Sequence, residues 1–240
     1  MPHSEIHNRC HQNCVPFHAL LCLVLMLFGG CEQPPAELSF ESQIEMVKRG
    51  ESDEIRIHDT VVTNDDMARL QEVPQLRVLD LKKTKIDDRG LLVLAQHENL
   101  HQLALRGAKI TDAGIEHLVD LPKLAILNLP DAKFTNKSLE RLQQLKKLEL
   151  LRFGSPNVTN EGLGHLCNYA NLRFLHLINS PIGDAGLAHV SKIPKLESFY
   201  LDGGNATNEG LVKLYESTPK LHIHVDQKHL DSDPNAHKHD

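Results

Sequence analysis

An apolar pattern that recurs every 24 residues constrains the fold of this chain more than any other feature. Each unit opens with a leucine, and these are Leu76, Leu100, Leu124, Leu148, Leu172 and Leu196. Apolar residues follow three, five and ten positions later, and most units place a glycine four positions after that. The register extends back through Ile55 and Ile57, which gives seven units between Ser52 and Pro219 without an insertion. Such a period is typical of solenoids, in which each unit buries its apolar side chains only against its neighbours.

The spacing L-x-x-L-x-L, followed by a small residue and an aliphatic one, resembles leucine-rich repeats. Residues 110–115, I-T-D-A-G-I, are similar to the I-T-D-x-G-L subclass of F-box-associated repeats and of many bacterial repeat proteins. The resemblance covers residues 52–226. It implies an α/β leucine-rich repeat solenoid of about seven repeats, with parallel strands on the concave face and short helices on the convex face.

One position departs from the leucine-rich repeat pattern. The asparagine or cysteine that usually follows each strand is replaced by Thr60, Thr84, Ala108, Ala132, Pro156, Ser180 and Gly204. No amide side-chain ladder can form at this turn, so we expect the backbone there to find other hydrogen-bond partners.

Threonines at one recurring position are predicted to cap the short helices, because a hydroxyl oxygen can accept from the first free N–H groups. They are Thr63, Thr111, Thr135, Thr159 and Thr207. Residues 39–51 are predicted to form an N-terminal capping helix, with Ser42 and Glu45 as a capping box. At the other end two registers remain open: residues 223–225 continue the 24-residue spacing, whereas residues 219–221 match the earlier Pro-Lys-Leu junctions with one residue inserted. Residues 227–240 are polar and are predicted to be a disordered tail.

The N-terminus has the pattern of an export signal. Residues 15–30 form an apolar run that is short for a membrane-spanning helix. Residues 27–31, L-F-G-G-C, resemble a bacterial lipobox, in which the cysteine is lipidated. We therefore expect a lipoprotein-type signal peptide over residues 1–30, a lipid anchor on Cys31, a linker over residues 31–38, and attachment to a membrane of the bacterial cell envelope. An uncleaved N-terminal anchor is the alternative.

Composition narrows the classes of function. A net charge of −6 argues against nucleic acid held by bulk charge. No phosphate-binding loop, nucleophile elbow or zinc-protease motif is present, so neither catalysis nor a cofactor is expected. The cysteines and histidines of residues 7–14 lie upstream of the expected cleavage site. The histidine-rich C-terminus could bind a metal only weakly, because a flexible tail leaves a site unorganised. No metal site is predicted.

The outward strand positions are the candidate ligand-binding face. Ile126, Leu150 and Phe174 occupy the same position in three consecutive units, so they would stack about 4.8 Å apart. The next outward position carries Asn128, Arg152, His176 and Tyr200. Arginine and tyrosine are favoured at binding hot spots, so we expect a protein or glycan ligand here. Alternatively, the apolar residues pack on each other and on the flanking loops.

Two functions follow from these patterns. The first is a non-enzymatic, membrane-anchored module that recognises a protein or glycan on its concave face. The second is the substrate-recognition component of a ubiquitin-ligase-like, F-box-type complex, which the repeat subclass suggests. An F-box needs its own helical segment, and only about 20 residues separate Cys31 from the first repeat.

Overall fold

One strand from each repeat unit joins a single sheet in the computed structural model, which describes residues 38–226, 228 and 229. The strands are β1 (Glu54–Ile57), β2 (Val62–Thr63), β3 (Val78–Leu81), β4 (Thr84–Lys85), β5 (Gln102–Leu105), β6 (Ile126–Leu129), β7 (Leu150–Phe153), β8 (Phe174–Ile178), β9 (Ser198–Asp202), β10 (His222–Val225) and β11 (Lys228–His229). The α-helices are α1 (Phe40–Lys48), α2 (Asn64–Ala68), α3 (Asp88–Leu91), α4 (Asp112–Ile115), α5 (Asn136–Leu142), α6 (Asp184–Val190) and α7 (Asn208–Ser217). Three 3-10 helices cover Arg69–Glu72, Leu92–Gln96 and Glu161–Asn168.

The large sheet has the strand order β1-β3-β5-β6-β7-β8-β9-β10-β11, and its first eight strands are parallel. Each strand pairs with the next in a register of 24 residues, as Leu79 with Leu103 and Leu103 with Leu127. The predicted leucine-rich repeat architecture of parallel strands and short helices is thereby confirmed.

The C-terminal register follows the 24-residue spacing, because Ile223 pairs with Phe199. β11 then pairs antiparallel with β10 and covers its edge. A short strand therefore lies inside the segment predicted to be a disordered tail. The segments predicted as signal peptide and linker, up to residue 37, and the rest of the predicted tail lie outside the described residues, as does Cys31. Within the described part, every helix is too short or too polar to cross a bilayer.

The core is a layer of aliphatic side chains between the sheet and the helices. The inward strand residues, such as Leu103 and Leu127, are fully buried. A further buried row, which the sequence analysis did not identify, lies at the end of each unit and comprises Val73, His97, Leu121, Leu145, Tyr169 and Ile193. Its two polar members face main-chain carbonyls. The two ring nitrogens of His97 each lie 3.1 Å from a carbonyl oxygen, of Leu70 and of Val93, and the neutral ring donates to one of them; the Tyr169 hydroxyl donates to the Leu139 carbonyl. One of the 16 histidines of the chain is thus structural.

Helix α1 closes the N-terminal end of the sheet. Gln43 accepts from the Arg56 N–H at 2.7 Å and donates to the Arg56 carbonyl at 2.8 Å, so it takes the place of a neighbouring strand along the edge of β1. The capping box predicted for Ser42 and Glu45 is wrong. Ser39 is the N-cap and accepts from the Ser42 N–H, which places Ser42 inside the first helical turn, and Glu45 instead pairs with Lys48.

Four of the five predicted threonine N-caps are confirmed: Thr63, Thr111, Thr135 and Thr207. The prediction for Thr159 is wrong, because that unit has a 3-10 helix without a side-chain cap. The Thr159 hydroxyl instead donates to the Glu161 carboxylate and accepts from Asn136 Nδ2.

A ladder of aspartate and asparagine side chains joins successive units at the helix N-termini. We call it the Asx ladder; its members are Asn64, Asp88, Asp112, Asn136, Asn160 and Asp184. Each accepts a hydrogen bond of 2.8–3.2 Å from a backbone N–H of the next unit, 23 residues later. At the turn that follows the strands, where no amide ladder was expected, backbone hydrogen bonds join neighbouring units directly. One of them runs from the Lys109 N–H to the Ile86 carbonyl at 3.0 Å.

The Asx ladder explains the recurring glycine. A Cβ on Gly114 would lie 2.3 Å from Asp88 Oδ1, and one on Gly210 would lie 2.1 Å from Asp184 Oδ1. One unit has Ser138 in place of this glycine. Its Cβ is accommodated because its hydroxyl donates to Asp112 Oδ1 at 2.5 Å.

Candidate ligand-binding face

The outward residues of β6–β10 form one continuous surface, which we call the open face. Period-two alternation places every second strand residue there, and the parallel register aligns equivalent residues across strands. Ile126, Leu150 and Phe174 are direct neighbours in this register, and each is partly exposed. The predicted apolar row is therefore assembled as the sequence indicated.

The second outward row is held by hydrogen bonds around Arg152. Its Nε donates to Nδ1 of His176 at 3.1 Å, and its Nη1 donates to Oδ1 of Asn128 at 3.0 Å. Because Nδ1 of His176 accepts, the ring proton is on Nε2, which donates to Oδ2 of Asp202 at 2.8 Å. The Arg152 side chain is thus fixed at two points and not free to rotate.

Aromatic rings continue this row towards the C-terminal end. The His176 and Tyr200 rings lie 5.3 Å apart, and Tyr200 stacks on His224 with centroids 4.3 Å apart and planes 10° from parallel. His224 also contacts His222, their Nε2 atoms being 2.5 Å apart. The stacked rings give this end of the open face a flat, rigid surface.

A cavity of about 560 Å³ opens between these two rows. The predicted residues that line it are Leu150, Arg152, Phe174, His176 and Tyr200. Ile126 and Asn128 do not line it. They lie on the adjacent strand β6, where Ile126 extends the apolar row and Asn128 holds Arg152.

Three lining residues, Leu175, Asp202 and His224, were not predicted as part of the site. His224 stands 24 residues after Tyr200, so the 24-residue spacing could have identified it. It was not identified because two C-terminal registers remained open. Asp202 follows the last inward residue of β9, at a position whose side chains vary from unit to unit. Nothing in the spacing marked it as a partner of His176.

Burial sets the electrostatics of the cavity. It lowers the pKa of His176 below its ordinary value, an effect that Arg152 reinforces and Asp202 opposes. Burial, together with repulsion from Arg106, also lowers the pKa of Arg152. Burial raises the pKa of Tyr200. The directions for His176 and Tyr200 keep the imidazole neutral and the phenol protonated at neutral pH. Arg152 is the cation of the cavity, because a guanidinium stays protonated in proteins even when burial lowers its pKa.

This arrangement suits binding better than catalysis. Both ring nitrogens of His176 are already engaged, by Arg152 and Asp202, so the ring has no free nitrogen to act as a general base. The Tyr200 phenol is the sole hydroxyl among the cavity-lining residues. Across the described ranges, no group of three or more histidine, cysteine, aspartate or glutamate side chains could hold a metal ion.

Comparison with known proteins supports the fold. A family model described as a leucine-rich repeat matches residues 74–95 and 96–119. No curated protein sequence matches the chain.

Several solved structures are similar to the chain. An internalin (InlF) from Listeria monocytogenes has 19% sequence identity and a TM-score of 0.51, over 72% of this chain and 55% of the internalin. A leucine-rich repeat protein from Leptospira interrogans has 20% identity and a TM-score of 0.48, over 65% of this chain and 38% of that protein. The ectodomain of a membrane receptor kinase from Arabidopsis thaliana has 14% identity and a TM-score of 0.48, over 75% of this chain and 25% of the ectodomain. This chain therefore spans about half of the internalin and less of the other two.

The repeat register, the parallel sheet, the family match in two units and the likeness to the internalin together show that the chain has the leucine-rich repeat fold.

Proposed function

We propose that this protein is a non-enzymatic binding module, anchored to a membrane of the bacterial cell envelope, that recognises a protein ligand on its open face. The observation that carries the proposal is the cavity beside the apolar row of Ile126, Leu150 and Phe174. These side chains stay partly exposed although they form a contiguous apolar surface, and such surfaces on soluble domains mark interaction sites. Arg152 and Tyr200, at the border of the apolar row, are residue types enriched at hot spots.

The ligand-binding part of the proposal is tested with Leu150→Glu in the full-length protein. A library of displayed random peptides is selected on the immobilised wild type, and the selected binders are measured against wild type and variant. We expect the variant to bind about tenfold more weakly or worse, because the new carboxylate would have to be desolvated against the ligand.

The control is Gln102→Glu, which adds the same charge at the equivalent outward position of β5, two strands away and outside the cavity. Equal binding of all selected peptides by wild type and a folded Leu150→Glu variant would refute this site. If peptides fail and a glycan array yields a ligand sensitive to Leu150→Glu, the site stands and the ligand class is a glycan.

The anchor is proposed from the lipobox-like residues 27–31. Metabolic labelling with a fatty acid should label the wild type and fail to label Cys31→Ser. Cys167→Ser is the control, because Cys167 is a free thiol within the repeat domain and its loss should leave labelling intact. An unlabelled, cytosolic wild-type product would overturn the anchor and favour the F-box-type alternative.

A further inference from the structure

Arg152 differs from most arginines of the repeat domain in having no carboxylate partner. Nine arginines lie among residues 38–226, and seven of them form ion pairs. The two exceptions in that range are Arg106 and Arg152. Arg106 is exposed to solvent, whereas Arg152 is partly buried in the wall of the cavity. A guanidinium that has lost part of its hydration without forming an ion pair is poised to bind an anion.

The protein engages only some of the N–H donors of Arg152. Nε and one N–H of Nη1 are used by His176 and Asn128, and the N–H groups of Nη2 have no acceptor among the described residues. Both protein partners accept without carrying a negative charge, since His176 is neutral and Asn128 is an amide. They orient the guanidinium but do not neutralise it. A carboxylate from a ligand would therefore meet a cation that is already immobilised, which reduces the entropy cost of binding.

The distance from the Arg152 guanidinium to the apolar row sets the interval between the two ligand side chains that would contact them. Leu150 and Arg152 lie two residues apart on β7 and point to the same side, and Phe174 is the direct neighbour of Leu150 on β8. Alternate residues of any extended chain are about 6.6–6.8 Å apart, so a peptide running along the strand direction has the same interval between side chains on one face. An acidic residue two positions from an apolar one matches this interval.

We propose that the open face binds an extended peptide in which an aspartate or glutamate side chain pairs with Arg152 while an aliphatic or aromatic side chain two residues away packs on Leu150 and Phe174. This inference rests on the proposed function, because it assumes that the open face is the binding site. Asp202 and Asp131 attract the Arg152 guanidinium electrostatically, but neither forms an ion pair with it among the described residues, and Asp202 accepts from His176.

The test uses the peptides selected on the full-length protein from a library whose C-termini are blocked by fusion. Sequences that depend on Leu150 should be enriched in an acidic residue two positions from an apolar one. Replacing that residue by its amide, Asp→Asn or Glu→Gln, should weaken binding by about 10- to 100-fold, the usual range for hydrogen bonds to a charged group.

On the protein, Arg152→Gln should weaken binding of the acidic peptide by a similar factor and leave the amide peptide unaffected. Arg77→Gln is the matched control, because it removes the same charge from an exposed ion pair with Asp53 outside the cavity. The peptide substitution needs no change in the protein, so it remains decisive even if Arg152→Gln fails to fold.

The remaining outcomes separate the two proposals. Peptides that need Leu150 but tolerate both the amide substitution and Arg152→Gln overturn the acidic-peptide inference and leave the proposed function standing. Enrichment of lysine or arginine in place of the acidic residue overturns it too. If the blocked library yields no binder and a second library with free C-termini yields binders that depend on Leu150, the carboxylate belongs to the chain end and the side-chain pairing is overturned. If no selected peptide depends on Leu150, the proposed function fails and the inference fails with it.

Discussion

Substitution of Gly114 tests whether the Asx ladder holds neighbouring units together. A Cβ at this position would lie 2.3 Å from Asp88 Oδ1 and 2.8 Å from Ile110 Cγ2. The alanine variant must therefore displace the Asp88 carboxylate, which accepts from the Thr111 N–H at 2.8 Å and from its hydroxyl at 2.5 Å. Both bonds join one repeat unit to the next, so a local clash becomes a loss of contact between units.

The expected cost follows from three contributions. Weakening two partly solvent-exposed bonds to a carboxylate costs about 1 kcal/mol each, and the overpacking of Ile110 costs about 1–2 kcal/mol. Alanine regains about 1 kcal/mol over glycine in a helix. We therefore expect Gly114→Ala to lower the free energy of unfolding by about 2–3 kcal/mol, measured by urea denaturation followed by circular dichroism.

Three comparisons make the reasoning refutable. Gly164→Ala should be nearly neutral, because its Cβ would lie 3.4 Å from the His189 side chain, an ordinary contact. Gly114→Ser should be less harmful than Gly114→Ala, since Ser138 shows that a hydroxyl here can donate to the ladder carboxylate. In an Asp88→Ala background, Gly114→Ala should lose most of its cost. Additive effects of Asp88→Ala and Gly114→Ala would refute the proposed clash.

Two further predictions concern buried polar groups. Tyr169→Phe removes the donor of a 2.6 Å bond to the Leu139 carbonyl in the core and should cost about 1–2 kcal/mol of unfolding free energy; an unchanged urea midpoint would show that the carbonyl has another partner. For His176, whose pKa burial lowers from its ordinary value of 6.5, NMR titration of the ring should give a value below 6.5. Its contribution to stability should be complete above pH 6.5 and diminish as the pH falls below it, because the unfolded chain then binds the proton more readily. His176→Gln should flatten that dependence, and a measured pKa of 6.5 or above would mean that Asp202 outweighs burial and Arg152.

The repeat itself was predictable because its physical requirement is the same in every unit. The inward positions must fill a layer of constant thickness, so leucine recurs at each of them and the period can be read directly. Residues that interact across units at unequal spacing were harder to identify. Asn64 and Asp88 look like ordinary helix-start residues in sequence, and only the structure shows that each accepts from the following unit and thereby requires a glycine there.

In the candidate site, too, the residues that follow the repeat period could be predicted and the contact that departs from it could not. Its apolar row was predictable because Ile126, Leu150 and Phe174 occupy the same position in three successive repeats. Residues at the same position of successive repeats become direct neighbours in the sheet. The pairing of His176 with Asp202 spans 26 residues and joins two different outward rows, so no periodic argument finds it. That pairing fixes the tautomer of His176, makes its Nδ1 an acceptor for Arg152, and so leaves the guanidinium oriented but not neutralised. The state of Arg152 therefore depends on one contact, between His176 and Asp202, whose residues are not related by the 24-residue period.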